Sequence, residues 1–196
     1  MNASFAPTTL LDAAGVDSRA AQTVLGEALA GADDGELFLE RSENESFVFD
    51  DGRLKTASYD AGEGFGLRVV AGETAGYAHA SEISLPAITR AAQSARLAKR
   101  GYSGVAAEGP RPTNAKLYGE DNPVSRPGFS EKVSLLQEID AFARERDPRV
   151  RQVMASIHGE RREIEILRAD GRLIRDVRPL VRINVQVTVE KDGRRE

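Results

Sequence analysis

Apolar positions along the chain change their period several times, and each change marks an element. Between Asp17 and Gly31 they recur at helical spacing, with Ala21, Val24, Leu25, Ala28 and Leu29 on one stripe. Asp17 or Ser18 supplies the N-cap and Gly31 the stop, so a helix with one buried face is predicted. After Asp33-Asp34-Gly35, read as a turn, the pattern becomes strand-like. Runs rich in β-formers cover Leu37 to Arg41, Ser46 to Asp50, Leu54 to Tyr59, Phe65 to Val70 and Thr74 to Ala80. Turns at Asp51-Gly52 and Ala71-Gly72 separate some of them, which predicts an antiparallel meander. Ser84 then caps a second helix through Ile88, Ala91, Ala92 and Ala95. Its end carries Arg96, Lys99 and Arg100, positive charges suited to a helix C-terminus.

From Gly101 to Ser130 no period survives. The segment holds Pro110, Pro112, Pro123 and Pro127 together with Gly101, Gly104, Gly109, Gly119 and Gly128. A connection of that length and composition is a linker or a surface excursion. It divides an N-terminal α+β domain, residues 1–100, from a second region, residues 130–196, with 101–129 between them. The second region opens with a helix from Ser130 that stops at Pro148. That helix is expected to turn Leu135, Leu136, Ile139, Phe142 and Ala143 inward and to pair Asp140 with Arg144.

Strands then resume over Val150 to His158, Glu163 to Arg168 and Leu173 to Val177, with a hairpin turn at Asp170-Gly171. In the last run Val181, Ile183, Val185, Val187 and Val189 share one face, and Arg182, Asn184, Gln186 and Thr188 share the other. One dry and one polar face are predicted. Lys191-Asp192-Gly193 is a turn signal and Arg194-Arg195-Glu196 begins a returning strand, so the chain is expected to stop inside a hairpin. The predicted fold class is α+β: an antiparallel β-meander with flanking helices, followed by a helix plus a second antiparallel meander.

Composition narrows the chemistry. The 196 residues are 40% hydrophobic and 30% charged, as in an ordinary folded domain. Cysteine is absent, which excludes disulfides, a thiol nucleophile, cysteine-ligated zinc and iron–sulfur clusters in these residues. Met1 to Gly15 lack the basic start and apolar run of a secretory signal, and no later stretch is apolar enough to cross a bilayer. Cytoplasmic location and no membrane partner are therefore expected. The net charge of -4 hides an asymmetry: from Arg144 onward 14 Lys+Arg stand against 10 Asp+Glu, leaving -8 for the preceding part.

Several motifs suggest chemistry at first sight. His79 and His158 lie on different predicted strands without a second ligand at metal spacing, so structural or surface roles suit them better. No Gly-x-Ser-x-Gly elbow exists to seat a serine nucleophile. Gly62, Gly64 and Gly66 begin a dinucleotide fingerprint, but its third glycine would fall at Leu67 and no helix follows. Their spacing instead strips one strand face of side chains, opposite Glu63, Phe65, Leu67 and Val69. Such a face permits close approach of another chain segment.

Asp33-Asp34 and Asp50-Asp51 precede glycines, where carboxylates serve turns. Arg172, Arg175, Arg178 and Arg182 are diluted by acids and lack stacking aromatics, so no nucleic-acid partner is expected. The polar row Arg182, Asn184 and Gln186 could receive an extended peptide, although a solvated sheet face is the better reading of alternating polar residues. No residue takes a catalytic or metal-binding role.

Three stretches carry a family resemblance: Glu45 to Lys55; Gly64 to Arg68 with Gly72 to Ala78; and above all Asp176-Val177-Arg178-Pro179-Leu180-Val181-Arg182. Together they resemble the TldD/PmbA family over nearly the whole chain. The Asp176 to Arg182 stretch and Glu190 to Glu196 are similar to the TldD branch. The resemblance implies a cytoplasmic zinc-dependent peptidase that works with a TldE/PmbA-type subunit on small or unfolded polypeptides. Family members are more than twice as long, and their His-Glu-x-x-x-His metal motif lies downstream of the matched region. His79 is followed by Ala80 and His158 by Gly159, so the motif does not occur here. On this reading the chain is an N-terminal portion that binds no zinc and supplies surface for assembly and substrate. The competing reading is a stand-alone peptide- or protein-binding module.

Overall fold

A computed structural model describes residues 8–105 and 117–195. Residues 106–116, including Gly109, Pro110 and Pro112 of the proposed linker, lie outside the described residues, as do the first seven residues and Glu196. The fold is α+β. Its helices are α1 (Leu10–Ala13), α2 (Ser18–Leu29), α3 (Leu85–Ala95) and α4 (Phe129–Arg146). Its strands are β1 (Asp34–Asp50), β2 (Arg53–Ala71), β3 (Thr74–Ala80), β4 (Val150–Arg168), β5 (Leu173–Lys191) and β6 (Arg194–Arg195), in the order β3-β2-β1-β4-β5-β6.

Local chemistry accounts for most boundaries. The Asp17 carboxylate accepts from the Arg19 and Ala20 N–H groups, and Gly31 leaves the helix at positive φ. Ser84 caps α3 through the Ala87 N–H, and Leu85-Pro86 opens the helix where proline's missing donor costs nothing. Asp51-Gly52, Gly72, Gly171 and Asp192-Gly193 all turn at positive φ where turns are predicted.

The strands are longer than their sequence pattern suggests. Leu37 to Arg41 and Ser46 to Asp50 are parts of one strand, and so are Leu54 to Tyr59 and Phe65 to Val70. Val150 to His158 runs on into Glu163 to Arg168, and Leu173 to Val177 into the valine-rich run. Polar intervals such as Arg41 to Asn44 interrupt the apolar pattern without breaking the backbone ladder. Asp33-Asp34-Gly35 is a further correction: Gly35 lies buried in β1, because Leu29 and the Arg68 carbonyl fill the space of a side chain.

The chain forms two compact units, interleaved in sequence. Unit 1 comprises residues 1–41, 62–117 and 163–176, and unit 2 comprises 42–61, 118–162 and 177–196. In unit 1, Leu37 and Leu39 of β1, Phe65, Leu67 and Val69 of β2 and Leu167 of β4 join Leu25, Leu29, Ile88 and Ala92 of the helices in one core. These strand residues share odd numbering within each strand, as one buried face requires. The helix α1 adds Leu10 and Leu11 to the same core.

In unit 2 the core is smaller: Phe47, Phe49, Leu136, Ala155 and Ile157, with Leu54 and Ile139 packed against it. Here α4 departs from expectation. Its buried residues are Lys132, Leu136 and Asp140, a strict i,i+4 row, whereas Leu135 and Phe142 are exposed. The inward face is set by an ion pair as well as by apolar periodicity. The Asp140 to Arg144 pair forms as predicted, at 3.1 Å.

Candidate functional site

The glycine strand of β2 is covered by its own neighbour. Gly66 lies opposite His79 and Arg68 opposite Tyr77 in the β2–β3 ladder. The Tyr77 ring crosses diagonally over Gly66, where a Cβ would meet Cε2 at 2.8 Å, and stacks on His79 with centroids 5.6 Å apart. At Gly64 the Ala80 carbonyl takes the corresponding space, 2.8 Å from where a Cβ would stand. Gly62 is exposed. Next to these glycines, Asp34 and Glu36 of β1 bridge Arg68 of β2 and Arg168 of β4, with Arg168 Nη2 2.8 Å from Asp34 and Nη1 2.6 Å from Glu36.

Two further polar features of unit 1 escape sequence patterning. Glu165 of β4 is fully buried; its Oε2 accepts the Leu10 N–H at 2.8 Å, while Oε1 lies 3.7 Å from Arg175 Nε without a hydrogen bond. Burial pushes its pKa above the ordinary glutamate range, against the pull of the Leu10 N–H and Arg175. The only sequence signal is that Glu165 shares the odd phase of Leu167. The helix α1 itself is announced by a capping box, Thr9 and Asp12 each accepting the other's backbone N–H. Asp33 forms the second feature, accepting the Tyr102 hydroxyl at 2.7 Å and the Gly72 N–H at 2.7 Å. Lys99 donates to the Ala30 carbonyl and Gly104 to that of Gly31, so the segment after α3 is fastened beside α2.

Unit 2 is organised by Lys132. Its ammonium, on a side chain 3% exposed, pairs with the buried Glu45, donates to the Val124 carbonyl at 2.8 Å and lies 5.9 Å from the Phe47 ring centroid. Gly159 keeps room for Glu45, because a Cβ there would stand 3.1 Å from Oε1. The Phe129 ring packs edge-on against Phe47 at 5.5 Å.

Along β5 the sequence-predicted row is present, with Arg182 Nε donating to Asn184 Oδ1 at 3.3 Å and Gln186 exposed in line. The opposite face overturns its prediction. Val181, Ile183 and Val185 are 54%, 48% and 48% exposed, and no helix of unit 2 has them in its core. Gly62, Gly64 and Gly66 belong to unit 1 and the polar row to unit 2.

His79 lies in unit 1 and His158 in unit 2, and among the described residues no three His, Asp or Glu converge as a donor set. Among the described residues no helix is long and apolar enough to cross a membrane.

Comparison with known proteins matches both regions. Residues 35–99 match the PmbA/TldA metallopeptidase domain 1 and residues 122–196 match the PmbA/TldA metallopeptidase central domain. The two matches fall in chain order and belong to one family of metallopeptidases. It is 34% identical over 165 residues to a metalloprotease TldD homolog of Haemophilus influenzae and 35% identical over 166 residues to that of Buchnera aphidicola subsp. Schizaphis graminum. These alignments cover 82% and 84% of this chain but 34% of each relative, so the chain spans about a third of their length. The crystal structure of TldE from Thermococcus kodakarensis superposes with a TM-score of 0.67 at 15% identity, over 90% of this chain and 40% of that one, and shares the fold. The chain belongs to the PmbA/TldD family.

Proposed function

We propose that this chain is the N-terminal region of a TldD-like metallopeptidase subunit and that it provides assembly and substrate-chamber surface rather than catalytic groups. The observation that carries this reading is the match to the family's first and central domains in order, in a chain whose two histidines lie in different units. On this reading residues 1–100 are the first domain, 101–129 the linker and 130–196 the start of the central domain. The whole protein is a cytoplasmic, zinc-dependent enzyme paired with a TldE/PmbA-type subunit, and it hydrolyses small or unfolded polypeptides without nucleic-acid or membrane partners. Zinc there would polarise the scissile carbonyl. Contact with peptide or partner falls to Gly62 and to Arg182, Asn184 and Gln186, since Tyr77 and Ala80 occupy the space at Gly66 and Gly64.

The test is to mix the purified chain with a TldE-type subunit, with zinc and with an unstructured peptide, and to follow complex mass, bound metal and cleavage. A complex with the subunit, no bound zinc and no cleavage is the expected result. Zinc-dependent cleavage by the chain alone would overturn it. Tight peptide binding by the chain alone, with no affinity for the subunit, would replace it with the stand-alone binding module.

A further inference from the structure

Positive charge gathers at one end of α3. From Ile83 to Ala107 the sequence carries Arg90, Arg96, Lys99 and Arg100 and no acidic residue, although Asp and Glu number 31 in the whole chain. Three of these cations follow Ala95, the last residue of α3, on a 3-10 turn over Arg96–Lys99 and on Arg100 next to it. A helix C-terminus favours positive charge, and Lys99 is further engaged by donating to the Ala30 carbonyl after α2. Arg96 and Arg100 are like charges four positions apart, which disfavour each other. Among the described residues neither guanidinium meets a carboxylate or a hydrogen-bond acceptor. In the same unit Arg41, Arg68, Arg168 and Arg172 are all paired with carboxylates.

Both arginines line one cleft. It measures about 330 Å³ and is bounded, among the described residues, by Arg96, Leu97, Lys99 and Arg100, which places it at the small end of ligand sites. Leu97, 52% exposed, is its apolar wall. A concave surface with a basic lining and an apolar wall focuses positive potential. The backbone beneath it is held in place. Gly76 of β3 leaves room for the Ala95 carbonyl and Ala98 to lie against the strand. On the far side the Tyr102 hydroxyl donates to Asp33 at 2.7 Å and the Gly104 N–H to the Gly31 carbonyl at 2.9 Å. A lining backbone fixed in advance lowers the ordering cost of binding.

We propose that this cleft binds a small anion bearing two linked phosphate groups, with Arg96 and Arg100 as its two forks and Lys99 as a third positive charge beside them. The planar guanidinium presents paired donors that match phosphate oxygens two at a time. A diphosphate brings more negative charge and more acceptor oxygens than a single phosphate, so it can engage both forks at once. The site uses none of the residues assigned to peptide or partner contact, and it adds a small-molecule ligand to a region otherwise read as assembly surface.

Calorimetric titration of the 196-residue chain with inorganic pyrophosphate at low salt is the test. Saturable one-to-one binding is expected, weakening as salt rises and roughly tenfold or more weaker for inorganic phosphate. Arg96→Ala combined with Arg100→Ala should lower the affinity at least roughly tenfold, whereas Arg90→Ala, on α3 but outside the lining, should leave it unchanged. Arg96→Lys combined with Arg100→Lys keeps the charge and removes the forks, and it should still lose roughly fivefold or more. Circular dichroism checks that each variant is folded. ADP binding more tightly than pyrophosphate would identify a nucleotide as the source of the diphosphate, and equal affinity a free diphosphate. No saturable binding, full affinity in the lysine variant, or an equal loss from Arg90→Ala would each overturn the proposal. Citrate binding more tightly than pyrophosphate would overturn it in favour of a carboxylate ligand.

Discussion

Unit 1 and unit 2 draw on the same kinds of strand but cover them differently. In unit 1, α2 and α3 close over Leu37, Leu39, Phe65, Leu67 and Val69, and the buried cluster includes α1 as well. In unit 2 a single helix, α4, covers Phe47, Phe49, Ala155 and Ile157, and the apolar face of β5 is left half-exposed. Unit 1 buries its apolar strand face with its own helices; unit 2 anchors its helix with Lys132 and Glu45 as much as with Leu136. An apolar strand face can therefore be buried in one setting and half-exposed in another, depending on whether a helix covers it.

The most damaging way to test the contrast is Lys132→Ala, which strands Glu45 as a buried charge. A loss of about 3–5 kcal/mol is expected, read by urea denaturation, with hydrogen exchange opening α4 and residues 42–50 before unit 1. A loss below about 1 kcal/mol would mean that the pair does not anchor unit 2. Next in size is Leu67→Ala, a truncation in the closed core of unit 1, which should cost about 2–5 kcal/mol. Val185→Ala, a truncation of comparable chemistry on the open face, should cost no more than about 0.5 kcal/mol. Equal losses at the two positions would erase the distinction between covered and open faces.

Two carboxylates, one in each unit, give pH dependence of opposite sign. Glu165 in unit 1 has a raised folded pKa, so it favours the folded state when protonated. Its contribution falls as pH rises from the ordinary value of 4.5 through the raised one, and Glu165→Gln should flatten that limb of the stability profile. Asp147 in unit 2 is held at about 2 by the Arg149 side chain, with the Arg149 N–H adding to it. Its contribution is present above 3.8 and is lost as pH falls towards 2, and Asp147→Asn should remove this smaller limb. Stability profiles of the two variants that bend in the same direction would contradict one of the two assignments.

Legibility in the sequence follows the range of the forces. Caps, turns and faces are local, and Asp17, Ser84, Asp51-Gly52 and Asp170-Gly171 announce themselves. Strand continuity through Arg41 to Asn44 is not local, because it depends on partners in β2 and β4 that hold a polar stretch in extended form. Pairing of Lys132 with Glu45 spans 87 positions and inverts the usual rule that charges face water, so the apolar residues of α4 place Leu136 and Ile139 inward correctly but Leu135 and Phe142 wrongly. The glycines of β2 show that backbone is bare, but Tyr77 fills the gap from another strand at a diagonal that sequence spacing does not encode. For the polar row of β5 the alternation is legible. Whether its apolar counterpart is covered depends on helices elsewhere in the chain.

Lys132 and Glu45 also constrain how this sequence can drift over generations. A change at either position alone passes through a chain with one unpaired buried charge, and the replacement that packing would tolerate, an apolar pair of similar volume, requires both changes together. Descendants can reach that alternative only by crossing an intermediate with a weakened unit 2, or by first gaining stability elsewhere. Two codons far apart in the gene are thereby bound into a single heritable choice.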